Sequence, residues 1–320
     1  MVSLGNVVHV GCLLHLESST SSEVTQSLRL FSAAEDLGFE SVWISHRPGY
    51  SRPSSPFAML AAAAQRTRTI RLGLGVVIVP VDPVIRIVQD VCVLDALAEG
   101  RVEIGFGTGN VSPDIYRLYG VNEVERHDLY TARIAELTGR LEARGLQTGS
   151  TTHSRLWDAS TSDDAVARAA AQGRGLMLGP GPHRSQVRTA QRFMATALGN
   201  RRQCGGRLAA VRGLYPAVAP DAHMRLRSVV SEQMQKRASR ASSSCHGTGI
   251  SERVLKLANI YAGDRDSVWQ NLVEDEVVSS YATHLLLSIE CEALGLNGSL
   301  ELLERVASML ALPWGVTTSW

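Results

Sequence analysis

Short apolar runs alternate with helical stripes along the whole of this chain. The first run, "VVHVGCLLHL" at 7–16, has the β-branched richness of a buried strand. After it, "SSEVTQSLRLFSAAEDLG" places Val24, Leu28, Phe31, Ala34 and Leu37 on one helical face, with Ser22 as the expected N-cap and Gly38 as the stop. The pattern then repeats. "ESVWIS" predicts a second strand, and "SSPFAMLAAAAQRT" a helix capped by Ser55, with Pro56 in the first turn where a missing N–H is tolerated. "IRLGLGVVIV" predicts a third strand, and Asp82 and Pro83 start a helix bearing Val84, Ile87, Val88, Val91 and Leu94. "RVEIGFG" is the fourth strand.

Beyond residue 111 a loop, "NVSPDIYRLYGVNEVER", leads to a helix at 127–144. "SRLWDAS", "GLMLG", "RLAAVRGLY" and "THLLLSIE" predict strands five to eight, with helices at "TSDDAVARAAAQG", at "RSQVRTAQRFMATAL" and near 299–311. Eight β/α units predict one closed (β/α)8 TIM barrel, a single domain over residues 1–320. The stretch 217–265, between strands seven and eight, breaks the rhythm. It contains "KRASRASSSCHGTG", lacks an apolar period and reads as a flexible insertion, either a lid over the strand ends or a solvated loop.

Charge and cysteines narrow the partners. Lys and Arg number 32 against 31 Asp and Glu, a net charge of +1, so no field recruits nucleic acid or an anionic membrane. The longest apolar run, "IRLGLGVVIVPV", is shorter than the roughly 20 residues of a membrane span. Five scattered cysteines form no Cys-x-x-Cys, and His127, His153, His183 and His246 share no metal-ligand spacing, so no metal is expected. The odd, scattered cysteines point to a reducing compartment, and the N-terminus, with no basic region ahead of its apolar run, reads as a core strand and not a signal peptide, so a cytoplasmic setting is expected.

"GRVEIGFGTGN" at 100–110 invites comparison with a dinucleotide-binding loop. It departs from that motif in three ways: Asn110 replaces the last glycine, three β units precede it, and Pro113 follows in a loop. Two readings remain, a tight turn at the barrel rim and a backbone stripped of side chains so that Gly107 to Asn110 can approach a flat ligand.

The ordered series "AEDLGFESVWIS" (34–45), "SPFAMLAAAAQRTRTIRLGLGVVIVPVDPVIRIVQDVCVLDALAEGRVEIGFGTG" (55–109) and "SRLWDASTSDDAVARAAAQGRGLMLG" (154–179) resembles the bacterial luciferase-like flavin monooxygenase family. The resemblance implies a barrel that binds FMN, or in one branch a deazaflavin, at the carboxyl ends of its strands. It implies oxidation of a small organic substrate with O2, a separate NAD(P)H-dependent flavin reductase, and a homodimer. The alternatives are hydride transfer with a deazaflavin, and a degenerate flavin-binding or partner subunit.

Under this resemblance His46 is a candidate acid/base or peroxide donor and Arg47 a candidate anchor for an anionic group, both after the second strand. Pro48 stands where the family often has histidine. Ser160, Thr161 and Ser162 precede a helix; Thr161 and Asp164 have the spacing of a capping box, and the resemblance places the FMN phosphate at the same helix start. Gly107, Thr108 and Asn110 are expected beside the ring or ribityl chain, and Gly179 beside the phosphate. Thr108 and Leu74 replace a basic residue and a threonine of the family pattern. Trp43 and Trp157 are expected in the core or wall, and Glu17 faces the mouth without an assigned role.

Overall fold

The computed structural model describes residues 4–16, 20–48, 55–144, 155–199, 206–217, 255 and 258–312. Among them nine parallel strands occur: β1 (His9–Leu14), β2 (Ser41–Ile44), β3 (Arg71–Ile78), β4 (Val102–Gly107), β5 (Leu156–Asp158), β6 (Gly175–Leu178), β7 (Leu208–Ala217), β8 (Ile260–Asp264) and β9 (His284–Ile289). The first seven pair in chain order, and β9 bonds both β7 and β1, so eight strands close a (β/α)8 barrel with β8 outside the ring.

Among the described residues ten α-helices surround these strands: α1 (Ser21–Asp36), α2 (Pro56–Ala64), α3 (Val84–Leu97), α4 (Pro113–Leu118), α5 (Arg126–Glu142), α6 (Asp163–Ala171), α7 (His183–Gly199), α8 (Arg265–Glu274), α9 (Glu276–Ser280) and α10 (Cys291–Leu310). The two faces of each strand serve two cores. Cys12, Leu14, Val42, Ile44, Leu72 and Leu74 point outward into a cluster completed by helix residues such as Phe31, Leu60, Val91 and Leu137. Leu13, Trp43, Trp157, Met177, Ala209, Val211 and Leu286 point inward and fill the barrel.

Two tryptophans dominate that filling. Trp43 and Trp157 meet edge to face, with ring centroids 5.9 Å apart. Each buries enough ring area to contribute roughly 4–6 kcal/mol of transfer free energy. Their bulk is accommodated by strand glycines opposite: a Cβ on Gly73 would lie 2.1 Å from Trp43, and one on Gly175 would lie 2.2 Å from Trp157. The amino end of the barrel is closed by a polar plug. Trp157 Nε1 donates to Glu103, Arg71 pairs with Glu103 at 3.0 Å, and the Arg207 guanidinium stacks 4.3 Å above the Trp157 ring.

Several local expectations change. Thr20, not Ser22, caps α1, because its hydroxyl accepts from Glu23 N at 3.2 Å while the Glu23 carboxylate accepts from Thr20 N at 2.9 Å. The 111–127 loop contains α4 and a 3-10 turn at Glu123–Glu125. The last helix begins at Cys291 and kinks at Gly295, where φ is 65°.

The insertion expected at 217–265 lies outside the described residues at 218–254 and 256–257, and Glu17 lies outside them too. The end of the insertion is structured: β8 pairs with Gly213–Ala217 of β7, and Asp264 caps α8 through Ser267 N at 2.9 Å. Asp275 fastens this addition to the barrel, accepting from Arg212 of β7, from Tyr261 of β8 at 2.6 Å, and from the N–H groups that begin α9. His183, at the start of α7, reaches the same carboxylate at 3.2 Å.

Candidate active site

Strand alternation carries the inward face of β1, β2 and β9 up to the carboxyl end of the barrel. Two residues beyond Leu13, Trp43 and Leu286 come His15, Ser45 and Ser288; two further come Arg47 and Glu290. An apolar layer is therefore followed by a hydroxyl and imidazole layer, and then by a charged one. His15 is 8% exposed and spans its layer, with Nδ1 3.2 Å from Ser45 Oγ and Nε2 2.9 Å from Ser288 Oγ. The Glu290 carboxylate is buried, 3.7 Å from His15 Nε2 and 4.0 Å from the Arg47 guanidinium. Tyr215, packed in the outer core, donates to Ser288 O at 3.3 Å; burial and then the nearby Glu290 charge hold its hydroxyl well above the ordinary range.

Of the residues predicted after the second strand, Arg47 joins this cluster and His46 does not. His46 shares the parity of Val42 and Ile44, which face the outer core, and no described residue hydrogen-bonds to it. Burial pushes its pKa down to about 4, so the ring is neutral at physiological pH. Pro48 is buried beside it.

At β3 and β4 the glycines have a steric purpose. The β3 register shifts between Leu74 and Val77, and Val76, within the shift, packs partly buried on the interior cluster. Gly105 and Gly107 lie against it: a Cβ on either would approach a Val76 methyl to 3.0 or 2.8 Å. Val76 and Ala159 are the partly exposed members packed on the interior cluster, so they form the upper surface of the filled barrel. Leu74 is buried in the outer core and does not face the mouth. Thr108 is half-buried, its carbonyl accepting from Tyr116 at 2.9 Å, Gly109 has φ 81°, and Asn110 is exposed.

The loops after β5 and β6 bring Ser160, Thr161, Ser162 and Gly179 to the same end of the barrel. Ser162 is the N-cap of α6, yet its side chain makes no capping bond, and the expected Thr161–Asp164 box does not form. The Ser162 and Ser160 hydroxyls lie 3.2 Å apart, and Ser160 Oγ accepts from Ser162 N at 3.3 Å. Asp163 is drawn aside into an ion pair with Arg192 of α7. A Cβ on Gly179 would meet no heavy atom within 4 Å, and the Gly179 carbonyl accepts from the buried Gln186 amide.

Sequence reasoning missed His15, Ser45, Ser288 and Glu290. Counting in twos from Leu13, Trp43 and Leu286 would have found them once those residues were known to face inward. No group of three or more His, Cys, Asp or Glu suited to a metal occurs among the described residues. No helix among them is long and apolar enough to cross a membrane.

Comparison with known proteins agrees with this architecture. The limonene 1,2-monooxygenase of Rhodococcus erythropolis is 33% identical over 111 residues, covering 34% of this chain and 28% of that protein, so the match spans under a third of the relative. The oxygenating constituent of 3,6-diketocamphane monooxygenase from Pseudomonas putida, solved in complex with FMN, superposes with a TM-score of 0.73 at 12% identity, covering 95% of this chain and 98% of that one. The coenzyme F420 dependent tetrahydromethanopterin reductase of Methanopyrus kandleri superposes with a TM-score of 0.70 at 17% identity, covering 96% and 100%. At such identities these two structures establish the shared fold. The family profile described as luciferase-like monooxygenase matches residues 8–284, and the chain belongs to that family.

Proposed function

We propose that the protein is an FMN-dependent monooxygenase that oxidises a small organic substrate with O2, its FMN being reduced by a separate NAD(P)H-dependent flavin reductase. The observation that carries this reading is the uncapped start of α6. Its first-turn N–H groups lack a side-chain cap, two serine hydroxyls stand beside them, Asp163 is turned away, and Gly179 leaves open space on the next loop. Such a donor set suits a phosphate dianion.

FMN bound there supplies the redox chemistry. Ser160, Thr161 and Ser162 hold its phosphate, Gly179 leaves room for it, and Gly107, Thr108 and Asn110 border the rest of the cofactor. Val76 and Ala159 give the ring an apolar floor that excludes water. Arg47 anchors negative charge at the mouth; His46, buried as a neutral imidazole above pH about 4 and set apart from that cluster, is given no proton-transfer role. A homodimer belongs to the same reading: Ile85, Val93 and Leu97 of α3 are 51%, 61% and 42% exposed, an apolar outer stripe that a second copy would cover.

The resemblance to the F420-dependent reductase favours a second reading, hydride transfer with a deazaflavin. Fluorescence titration with FMN, riboflavin and a deazaflavin separates the two. Tight FMN binding followed by substrate-linked oxygen uptake supports the monooxygenase; a preference for the deazaflavin without oxygen uptake replaces it.

A further inference from the structure

The hydroxyl layer at the mouth has a built-in direction. Ser45 and Ser288 are partly exposed and share the inward parity of Trp43 and Leu286, while His15 is buried behind them with a ring nitrogen on each hydroxyl. A neutral imidazole carries one N–H, so it donates to one serine and accepts from the other. The Glu290 carboxylate, 3.7 Å from Nε2, attracts that proton to Nε2. Nε2–H then donates to Ser288 Oγ, leaving the Ser288 proton free to donate outward. Nδ1 accepts from the Ser45 hydroxyl, leaving the Ser45 lone pairs facing outward.

We propose that Ser288 and Ser45 form a polar substrate subsite in which Ser288 donates to an oxygen acceptor such as a carbonyl, Ser45 accepts from a substrate donor, and His15, backed by Glu290, is the positioning residue that fixes this polarity. The proposal assigns a substrate class, oxygen-bearing organic molecules with a carbonyl directed at β9, and rests on the monooxygenase reading only for the chemistry that follows binding. His15 acts through the serines. Loss of its ring leaves both hydroxyls to rotate, with the cost falling on orientation and not on burial of charge.

The test is nitrogen NMR of the full chain with 15N-labelled histidine, the His15 signals being assigned by their loss in His15→Gln. The expected result is the neutral Nε2–H tautomer in the wild type at pH 7.5 and a shift toward Nδ1–H in Glu290→Gln. An Nδ1–H or doubly protonated ring in the wild type, or a tautomer unmoved by Glu290→Gln, overturns the assignment of polarity. Cyclohexanone serves as the carbonyl probe: it should perturb the His15 ring signals in the wild type and at least tenfold more weakly in Ser288→Ala. No perturbation in the wild type, or an equal one in Ser288→Ala, overturns the subsite. None of these readouts needs bound flavin. A failed FMN titration with the NMR pattern intact would therefore sink the flavin reading alone, and the reverse would sink the subsite alone.

Discussion

Val76 occupies the space that a side chain on Gly107 would take: a Cβ at position 107 would lie 2.8 Å from Val76 Cγ2. The glycine run of β4 thus leaves room for the displaced third strand and, through it, shapes the floor of the mouth. Gly107→Ala should destabilise the protein by about 1–3 kcal/mol, the usual cost of overpacking. It should also weaken FMN by lifting Val76. The urea midpoint and FMN titration measure the two effects. Gly139→Ala on α5, where nothing lies within 4 Å, is the matched control and should be neutral or stabilising.

The α6 start makes a prediction that distinguishes phosphate binding from helix support. Ser160→Ala combined with Ser162→Ala should weaken FMN about tenfold, about 1.4 kcal/mol, and riboflavin much less, since riboflavin lacks the phosphate. The Ser162 side chain makes no capping bond, so the melting temperature of the unliganded protein should hardly move. Equal weakening of both flavins would place the serines elsewhere than at the phosphate.

The barrel was legible in the sequence because buried parallel strands and amphipathic helices impose different periods, and eight such pairs allow few topologies. β8 was not. "IYAGD" is short, contains glycine, shows no alternation and follows the unpatterned "KRASRASSSCHGTG", so only its pairing with Gly213–Ala217 identifies it. The mouth cluster was hidden for another reason. His15 and Glu290 are single polar residues at the ends of apolar runs, and nothing local states that two strands distant in sequence bring them to 3.7 Å. The glycines of β4 were visible as a motif, but their neighbour Val76 is set by the β3–β4 register shift.

His46 gives a pH prediction whose sign follows from burial. Its folded pKa is about 4 against about 6.5 when unfolded, so the unfolded chain takes up the proton first as pH falls. Its contribution to stability is full above about pH 6.5 and is lost as pH falls toward 4. His46→Phe should therefore flatten the pH dependence of the melting temperature between those values, as scanning calorimetry would show. The pH profile of activity should carry no His46 limb between 6 and 7; a limb there that disappears in His46→Phe would contradict a neutral ring.

The apolar stripe on α3 predicts a concentration-dependent assembly. Val93, 61% exposed, lies between Ile85 and Leu97 on the outer face of that helix. Val93→Glu should convert a dimer to monomer in sedimentation velocity without lowering the melting temperature of the monomer. A wild type that is monomeric at micromolar concentration would remove the homodimer from the proposed function.

Asp275 is the point at which the β8 addition can be tested separately from the barrel. Burial raises its pKa, but the Arg212 guanidinium and its hydrogen bonds, with the Tyr261 hydroxyl, outweigh that and hold it at about 2. A carboxylate depressed in this way stabilises the fold at all pH above its unfolded value near 3.9, by about 2 kcal/mol, and the stabilisation is lost as pH falls toward 2. Asp275→Asn should cost more, about 3–5 kcal/mol, because Arg212 is completely buried and would be left without its counter-charge. Pairing Asp275→Asn with Arg212→Met should recover much of that loss. Hydrogen exchange would show where the damage falls: in the single variant, amides of β8 and of the start of α9 should exchange first, while β1 to β4 stay protected. Uniform loss of protection would mean that Arg212 and Asp275 support the whole barrel and not the added strand.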